Sequence, residues 1–257
     1  MLDLFGPRWH IGCSPTGLAL VQRDRFGHHV GVAIERDWPA GADPAAMLRS
    51  QLHIALDQAG CAGARATLVL SDDWCRIGIV RSAAQMAGSC GTAAGTGGWI
   101  WQASAGQPCL AVAIPAVLQA MLLDTVARYR LRGVVPVPHC LVAWKRWQGE
   151  LKRGDWFGIV HDSRILLVSR TSGKMQGVMQ QLLHQDDMKN PDWLAARACI
   201  ESARLGVPAP SRIALCGEVP EPWTRALPGQ LACIALREKK LPAGSLAVAL
   251  AQAGIPA

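Results

Sequence analysis

Several stretches of the chain bring side chains with chemical potential close together. Asp24 with His28 and His29 offers a hard oxygen and two imidazoles, the donors of a metal site, although a polar hairpin turn accounts for the same residues. Asp72-Asp73 follows an apolar run, where carboxylates at a strand end act as acids or bases; with Ser71 ahead of them they also read as a turn and helix cap. Asp186-Asp187 reads as the solvated exit of a helix. Ser14, Ser71 and Cys75 are nucleophile types, yet none lies in a nucleophile elbow. The Gly/Ala/Ser/Thr stretch from Gly88 to Gly98 shares the composition of a phosphate loop but lacks its Gly-Lys-Ser/Thr ending, and reads as an exposed insertion. No pattern for acyl, hydride or phosphoryl transfer stands out.

Nine cysteines, at 13, 61, 75, 90, 109, 140, 199, 216 and 233, contain no Cys-x-x-Cys pair. An odd number scattered through apolar runs argues against a disulfide scaffold or a four-cysteine zinc site and for buried free thiols in a reducing compartment. At 257 residues, half of them hydrophobic and 18% charged, the chain is long enough for one large domain or two moderate ones and too apolar to be disordered. No run reaches the apolar length of a membrane helix, and Met1 to Trp9 lacks the apolar core of a secretory signal.

The net charge is +7, from 26 basic and 19 acidic residues. The basic residues concentrate at Arg128, Arg130, Arg132, Lys145, Arg146, Lys152 and Arg153, with Trp144 and Trp147 interleaved. Such a run suits phosphates of nucleic acid or anionic lipid, and equally a solvated helix end followed by a linker.

Turn residues and apolar spacing divide the chain into elements. Strands are predicted at Trp9 to Cys13, Gly17 to Gln22 and His29 to Ile34, followed by a helix capped by Asp43 and opened by Pro44. Strands at Ala66 to Leu70, Arg76 to Val80 and Cys109 to Ile114 lead to a helix from Pro115, a strand over Gly133 to Val137 and a helix over Cys140 to Trp147. A polar break at Gln148 to Asp155 precedes a hairpin of Trp156 to Val160 and Arg164 to Ser169. The spacing of Met175, Val178, Met179, Leu182 and Leu183 predicts a helix next. A helix opened by Asn190-Pro191, strands at Arg212 to Leu215 and Leu231 to Ala235, and a helix over Ser245 to Ala253 complete the order. Two successive strand meanders with flanking helices predict an α/β fold of two ribonuclease-H-like halves, the actin-like pattern. The first lobe spans 1–150, with a small subdomain inserted at about 66–136, and the second spans 151–257.

Three segments carry a family resemblance: Trp9 to Gln22, read with Met1 to Phe5; Leu131 to Pro138 followed by Leu141-Val142-Ala143; and Leu246 to Leu250. They resemble the PilM family of type IV pilus assembly and the cytoplasmic part of GspL in type II secretion. The resemblance implies an actin-like fold. It also implies a nucleotide site, whose positions here depart from the pattern. His10 stands where the family places the magnesium-organising Asp, ahead of Gly12 and Ser14, and the family's following lysine is replaced by Gly17 or a small neighbour. The second phosphate hairpin offers Asp162 in Val160-His161-Asp162-Ser163-Arg164 without the glycine of Asp-x-Gly, and the adenosine-side loop shows Gly217-Glu218 in place of paired glycines. An imidazole does not replace a hard anionic oxygen for magnesium.

The expected function is therefore a non-catalytic scaffold without a cofactor, cytoplasmic and peripheral at the inner membrane. It docks the N-terminal cytoplasmic segment of a PilN-like inner-membrane protein and meets an assembly ATPase. Arg128, Arg130, Arg132, Lys145 and Arg146 are the expected partner or membrane contacts. The alternatives are an ATP-binding member of the same machinery, with weak nucleotide binding still open, and a basic nucleic-acid module, although no nucleic acid is expected.

Overall fold

A computed structural model describes residues 8–24, 34–39, 41–80, 100–102, 108–161, 163–225, 231–236 and 245–253. The expectations for His28, His29, Gly88 to Gly98, Asp162 and most of the strand His29 to Ile34 lie outside these residues.

Strands β1 (Arg8–Ser14) and β2 (Gly17–Arg23) form an antiparallel hairpin, extended by β3 (Ile34–Asp37). Helix α1 (Pro44–Gln58) follows, N-capped by the Asp43 side chain with Pro44 in its first turn. β4 (Arg65–Leu70) then returns parallel to β1. A small antiparallel sheet of β5 (Arg76–Val80), β6 (Ile100–Gln102) and β7 (Cys109–Ala113) comes next, in the order β5-β7-β6. It occupies less of the chain than the subdomain expected at 66–136, because β4 belongs to the main sheet. Helix α2 (Ala116–Arg128), β8 (Pro136–Pro138) and helix α3 (His139–Trp147) follow. β8 is shorter than the strand expected over 133–137. It pairs only with Leu68–Leu70 at the sheet edge, where proline's missing N–H is tolerated. The first sheet has the order β3-β2-β1-β4-β8.

β9 (Trp156–His161), β10 (Arg164–Thr171) and β11 (Lys174–Leu182) make a three-stranded meander. The helix expected across 175–183 is therefore a strand, apart from Leu183. Ser172 (φ 53) and Gly173 (φ 82) close the β10–β11 hairpin in two residues, the left-handed pair that matches strand twist. A bulge explains the misleading spacing. Ser169 pairs with Gly177 and Arg170 with Met175, so Gln176 is an extra residue. Met175 and Val178, three apart, both pack on the large core that includes the first lobe, while Met179 packs on the opposite side.

Two helices, α4 (Gln185–Lys189) and α5 (Trp193–Leu205), follow. Gly206 closes α5 at φ 64, a left-handed cap that suits glycine. β12 (Arg212–Gly217) and β13 (Ala232–Ala235) complete a second sheet of order β11-β10-β9-β12-β13. Helix α6 (Leu246–Ala253) does not cover this sheet, although its residues fall in the range expected for the second lobe. It crosses back to the first sheet, where Ala247 and Val248 pack on Ala19, and Leu246 and Leu250 on Val69. The other face of that sheet, including Ile11, Leu20 and Leu68, packs on Leu48 and Leu52 of α1 and Leu122 of α2. Phe157 and Val168 join the same core, with the Trp144 ring edge-on to Phe157 at 5.7 Å. Cys13, Cys61, Cys75, Cys140 and Cys216 are buried free thiols as expected, whereas Cys199 is exposed and Cys233 half-buried.

Candidate functional site

The cleft between the lobes is built where strands end. The β1–β2 turn closes on itself, because the Ser14 hydroxyl donates to Gly17 O at 3.1 Å and accepts the Thr16 N–H at 3.3 Å. Beside it, the Ser71 N–H donates to Cys13 O at 2.8 Å, and the Ser71 hydroxyl caps a short 3-10 turn by accepting the Asp73 N–H. This turn aims two carboxylates in different directions. Asp72 accepts the N–H of Cys140 at 2.8 Å, in the first turn of α3, and lies 3.7 Å from His139 Nδ1. It thereby supplies the negative charge that a helix N-terminus favours. Asp73 crosses to the second lobe and pairs with Arg164 Nε at 2.7 Å.

His139 meets His161 of β9 edge-on, ring centroids 4.5 Å apart. Burial, and then the neighbouring His139, depress the His161 pKa to about 3, so its ring is neutral at pH 7. Ser71, Asp72, Asp73, His139, His161 and Arg164 line a shallow cleft open to solvent, with a cavity of about 20 Å³ and Leu246 and Leu250 of α6 in its wall. Cys140 and Cys75, beneath it, have thiols pushed far up by burial and then by Asp72, and neither is poised as a thiolate. Among the described residues no cluster has the makings of a metal site.

β1 brings His10, Gly12 and Ser14 to one face, the side covered by α6. His10 is 3% exposed, and its pKa falls to about 4 through burial first, then Arg23 and Arg8. At Gly12 an added Cβ would stand 2.0 Å from Ala247 O and 2.5 Å from Ala251 N. The room that glycine leaves is filled by the backbone of α6. Gly217, at φ 89, closes β12 against β9: a Cβ there would meet Val160 O at 2.2 Å, and the next N–H, of Glu218, donates to that same oxygen at 2.8 Å. The Glu218 side chain is exposed. Asp162 lies outside the described residues. At the positions where the resemblance implies a magnesium-bound nucleotide, His10 is a buried neutral imidazole and protein backbone occupies the space beside Gly12.

The basic run does not form one patch. Arg128 reaches His53 Nδ1 at 3.2 Å and lies 5.8 Å from the Tyr129 ring centroid, Arg130 holds a left-handed turn at φ 50, and Arg132 Nε donates to Gly63 O at 2.7 Å. Arg128 and Arg130 belong to the α1–α2 side, whereas Arg132 lies beside β4 at the sheet edge, bridged to Arg65. On the α6 side, Lys145 is exposed and Arg146 donates to Ala253 O at the end of α6, at 3.2 Å. Asp72, Asp73, His139 and Arg164 are the cleft residues that sequence reasoning did not assemble. The available signal was a pair of carboxylates directly after a strand.

No protein-family model matches the chain, and no curated protein matches it. Among solved structures, a Bacteroides thetaiotaomicron protein of unknown function with an actin-like ATPase fold aligns at TM-score 0.61 and 8% identity, over 90% of each chain. The cytoplasmic domain of EpsL, an inner-membrane component of the type II secretion system of Vibrio cholerae, aligns at TM-score 0.54 and 12% identity, over 96% of this chain and 94% of that one. A PilM–PilN type IV pilus biogenesis complex aligns at 0.48 and 14% identity, over 83% and 82%. With the two ribonuclease-H-like sheets described above, the first two likenesses show that this chain has an actin-like fold.

Proposed function

We propose that this protein is a non-catalytic scaffold of a type IV pilus or type II secretion assembly platform, working at the cytoplasmic face of the inner membrane. One observation carries the reading: at Gly12, a position where the family resemblance expects a nucleotide, the backbone of α6 fills the room that glycine leaves, and Asp73 is tied to Arg164 across the cleft. The likeness in fold to the EpsL cytoplasmic domain supports the setting. No described helix is long and apolar enough to cross a membrane, which suits capture of a partner that is anchored there.

In this reading the partner is the short cytoplasmic segment of a PilN-like inner-membrane protein, and an assembly ATPase is a second contact. An extended segment binds by hydrogen-bonding to a strand edge while its apolar side chains enter a groove. β6, at the edge of the small sheet, offers such a strand. The test is calorimetry with synthetic peptides from the cytoplasmic segments of candidate membrane partners, alongside magnesium-ATP. Saturable peptide binding with no thermal shift from magnesium-ATP is expected. Micromolar, magnesium-dependent ATP binding would overturn the reading in favour of a nucleotide-using member of the same fold.

A further inference from the structure

At the end of the first sheet away from the cleft, the strand ladder sets arginines side by side. Arg23 of β2 is the register partner of Arg8 in β1, Arg8 is the partner of Arg65 in β4, and Arg65 bridges to Arg132. The position of Arg132 is fixed by its N–H donating to Ala64 O at 2.8 Å and its carbonyl accepting the Ala66 N–H at 3.2 Å. With strands about 4.8 Å apart, four such positions span roughly 15 Å in a line. Arg8, Arg65 and Arg132 are exposed, Arg23 is half-buried, and the exposed Arg130 adjoins the row.

Like charges placed opposite one another across a ladder cost stability. The cost is felt inside the protein: His10, two residues along β1 from Arg8, is held neutral by burial and then by Arg23 and Arg8. Two carboxylates among the described residues lie near the row. Asp24 adjoins Arg23 in the chain, and Asp57 lies within reach of the Tyr129 hydroxyl near Arg130. Arginines at adjacent positions of a ladder suit phosphate, since a guanidinium can donate two parallel hydrogen bonds. Among the described residues, the aromatic rings nearest the row in sequence, Trp9 and Tyr129, are 7% and 6% exposed, so neither gives a base a stacking platform.

We infer that the row Arg23–Arg8–Arg65–Arg132 is a docking surface for anionic phospholipid headgroups, seating the first lobe on a membrane with the cleft at the far end of the sheet. The choice of lipid over nucleic acid rests on the buried rings and on the membrane-peripheral reading above; the peptide site plays no part in it. The row is distinct from Lys145 and Arg146, which flank α6.

Co-sedimentation of the full chain with phosphatidylcholine vesicles, with and without about a third phosphatidylglycerol, tests the assignment. Binding is expected only to the anionic vesicles and is released at roughly 0.5 M salt. Arg8→Glu with Arg65→Glu weakens binding roughly 25-fold or more, about fivefold for each arginine lost and further for each charge reversed. Arg8→Gln with Arg65→Gln gives a clear loss without new charge should the reversal disturb the strand ends, and melting curves report the fold of each variant. Arg8→Lys with Arg65→Lys retains most of the binding. Lys174→Glu with Lys189→Glu makes the same change in net charge on exposed positions of the second lobe and leaves binding intact. Wild-type protein that ignores anionic vesicles, or equal losses from the two reversed pairs, would overturn the assignment. So would vesicle-indifferent binding of an RNA oligonucleotide with a steep salt slope. Peptide binding measured without lipid is unchanged in these variants, so failure here and failure of the scaffold reading are told apart.

Discussion

The two five-stranded sheets share one strand order, yet corresponding corners differ in charge. In the second lobe the residue before β9 is Asp155 and the first residue of β12 is Arg212; they sit side by side, and their side chains form a short, two-pronged ion pair. In the first lobe the matching positions, at the starts of β1 and β4, are Arg8 and Arg65. One corner is stitched together by an ion pair, whereas the other sets two arginines side by side. The glycines of the central strands differ in the same spirit. Gly12 of β1 is covered by helix backbone, and Gly158 of β9 is covered by the Leu215 side chain, whose Cδ2 lies 2.5 Å from where a Cβ would be. Backbone cannot give way as the end of a leucine can.

The largest effect is therefore expected from Gly12→Ala. It should destabilise the protein by about 3 kcal/mol or more, the upper end for overpacking, because α6 must lift off the sheet. Hydrogen exchange should show lost protection in residues 246–253, and a variant with intact protection there would break the comparison. Asp155→Ala comes next. Only 3% of Asp155 is exposed, and its loss strands Arg212 and Arg170, at a cost of about 3 kcal/mol by chemical denaturation. Gly158→Ala should cost about 1.5 kcal/mol, since the leucine can shift.

Acid sharpens the contrast between the lobes. Burial raises the Asp155 carboxyl, but Arg212, the Lys152 N–H and Arg170 together hold it below its ordinary value. A depressed carboxylate contributes stability above its unfolded pKa, near 4, and that contribution is lost only as pH falls below this value. His10 acts at higher pH. Its folded pKa is about 4 against 6.5 unfolded, so unfolding takes up a proton between these values and stability declines as pH falls from 6.5 to 4. In urea titrations across pH, His10→Gln should flatten the upper part of the acid limb and Asp155→Asn the part below it. The smallest effect is the most telling. Arg8→Asp copies the second lobe's ion pair into the first and should raise stability by up to about 1 kcal/mol while weakening vesicle binding. A loss of stability instead would show that the two corners are not comparable.

Much of the fold was legible in the sequence because its punctuation is local. Asp43-Pro44, Gly206 and the Ser14 turn mark ends that the structure keeps. Two features were not. The bulge at Gln176 puts Met175 and Val178 on one face three residues apart, which imitates a helix in a segment that pairs as a strand. The seat of α6 was hidden because an apolar helix carries no sign of which sheet it will cover. For the site, His10, Gly12 and Gly217 could be singled out as departures from a nucleotide pattern, but what fills their space comes from remote parts of the chain. Asp72 and Asp73 read as a cap, and Ser71 does cap their turn. Their bonds to Cys140 and Arg164 join segments far apart in sequence, which no spacing rule reaches. The arginine row depends on strand register, visible only once β1, β2 and β4 are paired.

Because α6 covers the first sheet from the far side of the second lobe in sequence, synthesis on the ribosome cannot proceed one finished lobe at a time. Ala19, Val69 and the face around Gly12 stay uncovered until residues 246–253 emerge, after the strands of the second lobe have already been made. Contacts closed over so long a stretch of chain form late and leave apolar surface open to association in the interval. The nascent protein should thus depend on chaperones for longer than its size alone would suggest, and Gly12→Ala should extend that dependence.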